Sequence, residues 1–392
     1  MGELRAAGDH ALAQAVEGRP GIHGVVAVAT DRYGNIYEGA AGQRAQGVDA
    51  PMTLDTVFAI YSATKPITAT AVLQLVEAGR LDLEAPAADY IPALGTVQVL
   101  DGYDAAGTPI LRAPKRAITL RMLLTHTAGF GYDFCNPHYR KLAEISGRPR
   151  LTDGPETLLT PLLFDPGERW EYGANIEWAG LILEAVTGQR LGTYLREHVL
   201  DPLGMNDTGF SLTGSMGERL ATVHQRGADD GLIPMHRTEL PPPPTWDRGG
   251  GGMYSTALDY ARFMRMWLGD GGGVLRPETV RMASQNAMGA LKVTMLPGVM
   301  THLSNDAEFF PGMPKSWGLS FMINDHDAPT GRPAGSLAWA GLANVYFWID
   351  RTTGVAGFWA TQILPFVDPA AINGFHGFET AIYRDRARQS AA

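Results

Sequence analysis

The sequence predicts an α+β fold in which both ends of the chain contribute strands to one antiparallel sheet. Short runs rich in Val, Ile and aromatic residues lie near both ends of the 392-residue chain, and helix-type periodicity dominates the segment between them. Runs of strands kept apart from runs of helices are typical of α+β proteins. At this length, one large domain or two interleaved domains are expected.

Composition narrows the class of protein. Hydrophobic residues make up 45% of the chain and charged residues 19%, which is enough apolar material for a sizeable core. The net charge of −9 is scattered, and no basic stripe for nucleic acid is present. No segment reaches the ~18 apolar residues of a membrane helix, so we expect a cytoplasmic protein without membrane contact. Cys135 stands alone, which excludes an intrachain disulfide and leaves a catalytic thiol as the less favoured alternative.

The N-terminal elements follow from local patterns. Residues 4–16 have helix-forming composition, and two β-branched runs at 23–29 and from Ile36 onward flank a turn, which predicts a hairpin. Apolar residues recur at helix spacing over 64–79. Pro66 suits the first turn of that helix, because the N–H that proline lacks has no partner there.

The middle of the chain is predicted to be largely helical with long loops, and the C-terminal part returns to strands before a last helix. The predicted middle helices cover 119–124, 178–187, 191–199 and 256–268, and the long loops cover 241–252 and 285–315. The predicted strands cover 317–324, 336–340, 344–350 and 354–361, and the last helix covers 369–384.

A serine and a lysine three residues apart, Ser62 and Lys65, stand at the start of the predicted 64–79 helix. This spacing puts both side chains on one helix face, and a helix start directs backbone N–H groups toward a ligand. A serine hydroxyl needs a neighbour to take its proton, and a lysine with a lowered pKa can do so. Ser62 is therefore the candidate nucleophile and Lys65 a candidate base.

A tyrosine in the middle of the chain is the third candidate. Tyr172 follows a Pro-Gly turn at 166–167, and a phenol presented from a loop can reach a nucleophile on another segment and pass a proton. Because Lys65 and Tyr172 would titrate as a pair, the sequence leaves open which of them is the first base.

A short motif near the C-terminal end completes the candidate site. Trp339, Ala340 and Gly341 end a predicted strand, and small residues there let a substrate carbonyl lie against the backbone. We expect these three residues to bind substrate. The backbone N–H groups of Ser62 and Leu342 are expected to stabilise the oxyanion.

Together these motifs resemble the class C β-lactamases and their relatives, which include D-alanyl-D-alanine peptidases and family VIII carboxylesterases. Ser62-x-x-Lys65, Tyr172-Gly-Ala and Trp339-Ala-Gly stand in the order and rough separations of that superfamily. Supporting segments extend the resemblance over most of the chain, and they lie at 123–129, 201–205 and 249–256.

The resemblance implies a β-lactamase-like fold with the site between two domains. One would be a sheet domain of residues 1–80 and 315–392 flanked by helices, and the other a mostly helical inserted domain of residues 81–314 with long loops. It also supports the catalytic roles of Ser62 and Lys65.

Two departures from the superfamily pattern bear on the substrate. Ala174 stands where class C β-lactamases have asparagine, and Asn175 is displaced by one position. Trp339 stands where a lysine binds the carboxylate of penicillins, and loss of such a charge-assisted contact costs about 1.5–3 kcal/mol. Because tryptophan offers an apolar wall instead, the change resembles the family VIII esterases and favours neutral esters.

The leading functional prediction is a serine carboxylesterase that hydrolyses short-to-medium acyl esters of small molecules through an acyl-enzyme. The alternatives are a β-lactamase or D-alanyl-D-alanine peptidase-like amidase, an inactive binding protein, and transfer of the acyl group to an alcohol. The Gly-x-Ser-x-Gly spacing of α/β-hydrolases is missing. Metal-ligand spacings and a nucleotide-type glycine loop are also missing, so we expect no metal and no cofactor.

Overall fold

The computed structural model describes residues 2–147, 154–235 and 239–391. In chain order its strands are β1 (Gly24–Thr30), β2 (Asn35–Gly42), β3 (Val57–Ala59), β4 (Val99–Tyr103), β5 (Pro109–Arg112), β6 (His224–Arg226), β7 (Leu232–Pro234), β8 (Tyr254–Thr256), β9 (Lys315–Trp317), β10 (Met322–Asn324), β11 (Leu337–Gly341), β12 (Val345–Asp350), β13 (Val355–Ala360) and β14 (Ile363–Leu364). Its α-helices are α1 (Gly2–Glu17), α2 (Lys65–Glu77), α3 (Leu120–Leu124), α4 (Pro137–Ser146), α5 (Asn175–Thr187), α6 (Leu191–Leu195), α7 (Gly214–Glu218), α8 (Ala257–Leu268), α9 (Pro277–Ala283) and α10 (Pro369–Ala391).

A seven-stranded antiparallel sheet joins the two ends of the chain, in the order β2-β1-β13-β12-β11-β10-β9. The predicted fold class is therefore confirmed, as are the hairpin of β1 and β2 and the helix α2. All residues of β12 and β13 are buried, because helices cover both faces of the sheet. Phe347 of β12 packs on Tyr260 of α8, whereas its neighbour Trp348 points the other way and packs on Phe375 and Phe378 of α10.

The predicted single strand over 317–324 is wrong. The structure has two antiparallel strands there, β9 and β10, in which Trp317 pairs with Met322. The chain reverses at Ser320, whose φ of +79° is in the left-handed region. The sequence did not indicate the position of this turn, because serine carries no strong signal for a positive φ and large apolar residues lie on both sides of it.

The middle of the chain is helical with long connections, as predicted, and it contains features that periodicity did not indicate. Among them are the helix α4, the small hairpin of β4 and β5, and the hairpin of β6 and β7. Helix α2 packs on α5 and α6, which attaches the Ser62 segment to the helical part of the molecule. Helix α8 packs on β1 and β13 although it lies within the 81–314 segment, and the domain limits of the sequence analysis stay a prediction.

No helix among residues 2–147, 154–235 and 239–391 is both long and apolar enough to cross a membrane.

Candidate active site

Ser62 lies in a 3₁₀ turn, Tyr61–Thr64, that leads directly into α2. The residue before it, Tyr61, has a φ of +44°, a conformation that costs free energy in a residue with a side chain. Ser62 is half-buried and lines a cavity, so its hydroxyl faces open space at the start of the helix. This arrangement suits a nucleophile.

Strand β11 runs directly beside the Ser62 turn. A Cβ atom added to Gly341 would lie far inside van der Waals contact with the carbonyl oxygen of Ile60. Only glycine therefore allows the end of β11 to approach the backbone that precedes Ser62 so closely.

Lys65 is fully buried and its amine is directed at Ser62. The distance from Lys65 Nζ to Ser62 Oγ is 3.0 Å. The amine also donates to the carbonyl oxygen of Gly250 at 2.5 Å and lies 3.4 Å from the hydroxyl oxygen of Tyr132. Burial lowers the pKa of Lys65 to about 7, so much of the amine is neutral at physiological pH.

Two charged side chains act on Lys65 in opposite directions. The buried carboxylate of Glu177 raises the pKa of Lys65, and the guanidinium of Arg248 lowers it. Burial in turn raises the pKa of Glu177 itself. Glu177 Oε2 accepts a hydrogen bond of 2.9 Å from the Gly250 N–H, so the carboxylate also holds the loop whose carbonyl contacts the amine.

Tyr172 lies on the other side of Ser62. Its hydroxyl accepts a 3.2 Å bond from the indole N–H of Trp339, and the nearby Ser62 side chain favours the deprotonated form and so lowers the pKa of Tyr172, against the larger effect of burial. The ammonium nitrogen of Lys65 is 4.7 Å from the centre of the Tyr172 ring. Burial raises the pKa of Tyr172, so the phenol keeps its proton at neutral pH.

The close approach of two backbones holds Tyr172 in place. A Cβ atom on Gly173 would clash with the carbonyl oxygen of Phe130 and with the Cα of Gly131. The Tyr172 segment can therefore lie flat against the 130–131 segment, which also leads to Tyr132 on the cavity wall.

The three motif residues on β11 occupy different places. Trp339 is 4% exposed and lies beneath Tyr172, with the ring centres 4.9 Å apart. Together with Ala340 and Gly341 it lines a narrow cavity of about 20 Å³ next to Ser62, and it does not line the larger cavity described below. The substrate-binding roles of these three residues stay predictions.

A larger cavity of about 300 Å³ opens at Ser62. Leu342, the residue after β11, lines both this cavity and the narrow one, which places it beside Ser62 as the oxyanion prediction requires. The oxyanion role itself stays a prediction. The remaining lining residues come mainly from the inserted segment, and they include Gly131, Tyr132, Asp133, Phe134, Tyr139, Leu158, Ala174, Glu177, Arg248 and Gly250.

Sequence reasoning missed four of the groups around Lys65: Tyr132, Glu177, Arg248 and the Gly250 carbonyl. The glycine run at 249–252 belongs to a predicted loop and to a segment that supports the resemblance, but neither observation indicates a contact with the lysine. Neither tyrosine nor glutamate belonged to a motif, so nothing in the sequence indicated that these side chains reach the lysine.

Asn175 and Cys135, which the sequence analysis considered, make no hydrogen bond to Ser62 or to the Lys65 amine. Asn175 is buried with its amide nitrogen 3.0 Å from His126 Nδ1, while Ala174 lines the cavity. Cys135 is buried, and burial raises the pKa of its thiol, which makes it a poor nucleophile.

The chain is similar in sequence to known proteins over most of its length. The chain is 33% identical to a monacolin J acid methylbutanoyltransferase from Aspergillus terreus, over 95% of this chain and 94% of the relative. It is 32% identical to a lovastatin esterase from Penicillium rubens, over 88% and 90% of the two chains.

Solved structures also resemble this chain over nearly its full length. A simvastatin synthase (LovD) mutant from Aspergillus terreus superposes with a TM-score of 0.86 at 31% identity, covering 98% of this chain and 96% of the other. EstCE1, described as a hydrolase with promiscuous acyltransferase activity, superposes with a TM-score of 0.76 at 22% identity, covering 97% and 99%, and supports the fold alone. Residues 11–381 match the sequence family described as Beta-lactamase, and the chain belongs to that family.

Proposed function

We propose that this protein is a serine carboxylesterase of the family VIII type that forms an acyl-enzyme on Ser62. The observation that carries the proposal is the 3.0 Å distance between Ser62 Oγ and the amine of Lys65, whose pKa burial lowers to about 7. A neutral amine at that distance can take the hydroxyl proton when the oxygen attacks an ester carbonyl.

The reaction would proceed in two displacements. In the first, Ser62 Oγ bonds to the carbonyl carbon, its proton passes to Lys65, and the bond to the alcohol oxygen breaks as that oxygen receives a proton. Tyr172, which keeps its own proton and contacts Ser62, is placed to relay protons between the amine and the leaving alcohol. In the second, water attacks the acyl carbon, a proton returns to Ser62 Oγ, and the carboxylic acid leaves.

In this proposal Lys65 is the first base. Because burial raises the pKa of Tyr172 and lowers that of Lys65, the amine is the better proton acceptor at neutral pH. The backbone N–H groups of Ser62 and Leu342 would stabilise the oxyanion, since β11 brings Leu342 beside the nucleophile.

Replacement of the nucleophile tests the proposal. Ser62→Ala should lower kcat/KM for p-nitrophenyl butyrate by at least about 10³-fold and abolish labelling by a fluorophosphonate. Ser211→Ala is the matched control, because Ser211 is an exposed serine outside the cavity. If Ser62→Ala kept most of its activity, or if the label appeared on another residue, the proposal would be wrong. Nitrocefin in the same assay tests the β-lactamase alternative, for which we expect only slow turnover.

A second candidate is transfer of the acyl group from an ester to an alcohol other than water. The similarity to a methylbutanoyltransferase and to a simvastatin synthase favours it. Both reactions share the acyl-enzyme and differ only in the acceptor. Mass spectrometry of products formed with and without added small alcohols separates them, because a transferase gives a new ester whose yield rises with alcohol concentration while free acid falls.

A further inference from the structure

We propose that Arg248 is an anion-binding residue of the large cavity and that the preferred ester carries a carboxylate group away from its scissile bond. The inference rests on the proposed function, and it names the substrate class for the same site. It departs from the expectation of neutral esters that the Trp339 substitution suggested.

The loop that carries Arg248 is anchored on both sides. The preceding residue, Asp247, accepts two hydrogen bonds of 2.8 Å from the guanidinium of Arg190 and one of 2.8 Å from the Gly192 N–H. On the other side, Thr68 Oγ1 donates to the Gly249 carbonyl oxygen at 2.8 Å. The backbone position of Arg248 is therefore fixed before a ligand arrives, which reduces the entropic cost of binding.

The Arg248 side chain is half-buried on the cavity wall and, within the described part of the chain, makes no hydrogen bond or ion pair. Some other half-buried or buried arginines are paired with carboxylates. Arg219, Arg226 and Arg332 each bind an aspartate or glutamate with two guanidinium nitrogens. A guanidinium that lines the cavity and that the protein leaves unpaired is suited to an external anion.

The electrostatic surroundings favour binding at this position. Arg248 and Ser62 line the same cavity, and the charge of Arg248 acts on Lys65, Glu177 and Tyr132. Glu177 does not satisfy it, since that carboxylate binds the Gly250 N–H and makes no ion pair with Arg248 in the described residues. Asp133 is the other acidic lining residue and acts on Cys135, next to the narrow cavity.

The planar shape of the Arg248 guanidinium favours a carboxylate as its ligand. A planar guanidinium donates two parallel hydrogen bonds to a carboxylate, which a lysine cannot reproduce. A cavity of about 300 Å³ has room for a short chain between the scissile ester and the acid. In the superfamily the positive charge is carried by a lysine at the position of Trp339, on β11. In this chain the positive charge of Arg248 lies instead on the segment of residues 81–314.

A matched pair of esters tests the inference. The half-ester 4-nitrophenyl hydrogen glutarate and its methyl ester, methyl 4-nitrophenyl glutarate, differ only in the charged group. At pH 8.5, where Lys65 is neutral, kcat/KM of the wild type should favour the half-ester, and Arg248→Gln should reduce the ratio of the two values by about 10- to 100-fold. Arg248→Lys should restore part of the ratio. Arg388→Gln, which removes one positive charge from an exposed site on α10, is the control and should leave the ratio as it is.

Equilibrium binding distinguishes failure of the inference from failure of the proposed function. Calorimetry with Ser62→Ala and the half-ester needs no turnover, and a second Arg248→Gln substitution should weaken binding by a similar factor. Loss of binding in the double variant, with no esterase activity in the wild type, would retain the anion site and reject the esterase. Turnover of both esters with a ratio unchanged by Arg248→Gln would overturn the inference and retain the esterase. Tighter binding of inorganic phosphate than of the half-ester would also overturn the assignment to a carboxylate.

Discussion

The amine of Lys65 owes its proposed reactivity mainly to burial, and two charged neighbours adjust the effect. Desolvation lowers its pKa to about 7, and the opposing influences of Glu177 and Arg248 adjust that value. Since the deprotonated amine is the proposed base, kcat/KM should rise with pH through about 7 and then level off. Cys135 and His126 are among the other titratable groups that interact with this amine, and burial disfavours the charged form of each.

Substitution of the two charged neighbours should move this profile in opposite directions. Glu177→Gln removes a charge that raises the pKa of Lys65, so the rising limb should move to lower pH. Arg248→Gln removes a charge that lowers this pKa, so the limb should move to higher pH. Shifts on the order of half to one pH unit are expected for charges in a partly shielded site. The pH dependence of kcat/KM for p-nitrophenyl butyrate measures both, and shifts of the same sign would contradict the assignment of Lys65 as the base.

The phenol of Tyr172 is expected to act as a proton relay rather than as a packing group. Tyr172→Phe keeps the ring beneath the cavity but removes the hydroxyl that contacts Ser62, and kcat should fall by roughly 10²- to 10⁴-fold. Tyr33→Phe, at a residue that is 93% exposed, serves as the control. A change in KM alone, with kcat intact, would point to a binding role instead.

At the scale of elements, the sequence predicted those features whose cause is local. The spacing of Ser62 and Lys65 on a helix and the β-branched hairpin were enough to place α2, β1 and β2. The Gly250 carbonyl and Glu177 could not be predicted, because they meet Lys65 only after separate segments pack together. The hairpin of β9 and β10 was missed for a different reason, since its turn falls at a serine, which carries no strong signal for a positive φ.

Where β11 meets the Ser62 turn, position 341 has no room for a side chain. Gly341→Ala would place a methyl group against the Ile60 carbonyl oxygen, so the strand or the turn must shift. A misplacement of this kind should lower kcat/KM by at least about tenfold, with a smaller effect on the urea midpoint. Gly34→Ala is the control, because a Cβ there meets nothing within 4 Å. Unchanged kinetics in Gly341→Ala would show that the close approach does not position the nucleophile.

At the scale of the whole molecule, a buried ion pair attaches the last helix to the rest of the fold. Arg332 and Glu379 of α10 are almost fully buried and joined by two hydrogen bonds, of 2.5 and 2.9 Å. Neither residue lines the cavity at Ser62.

Removal of one partner should leave the other charge buried and unpaired. We expect Glu379→Gln to lower the free energy of unfolding by about 3–5 kcal/mol, measured by urea denaturation. The double variant Arg332→Met with Glu379→Met should recover part of this loss because no uncompensated charge remains. Additive losses in the double variant would show that the pair is not coupled.

The sheet that supports the candidate site can form only late in synthesis, because its strands come from both ends of the chain. Val26 of β1 pairs with Ala360 of β13. Strand β1 is synthesised early, but it can form this pairing only after almost the whole chain has been made. Ser62 and Lys65 leave the ribosome long before β11, the strand that lies against their turn. The nascent chain therefore carries Ser62 for most of translation without the surroundings that would activate it, and we expect the proposed ester cleavage to begin only once the C-terminal strands have emerged.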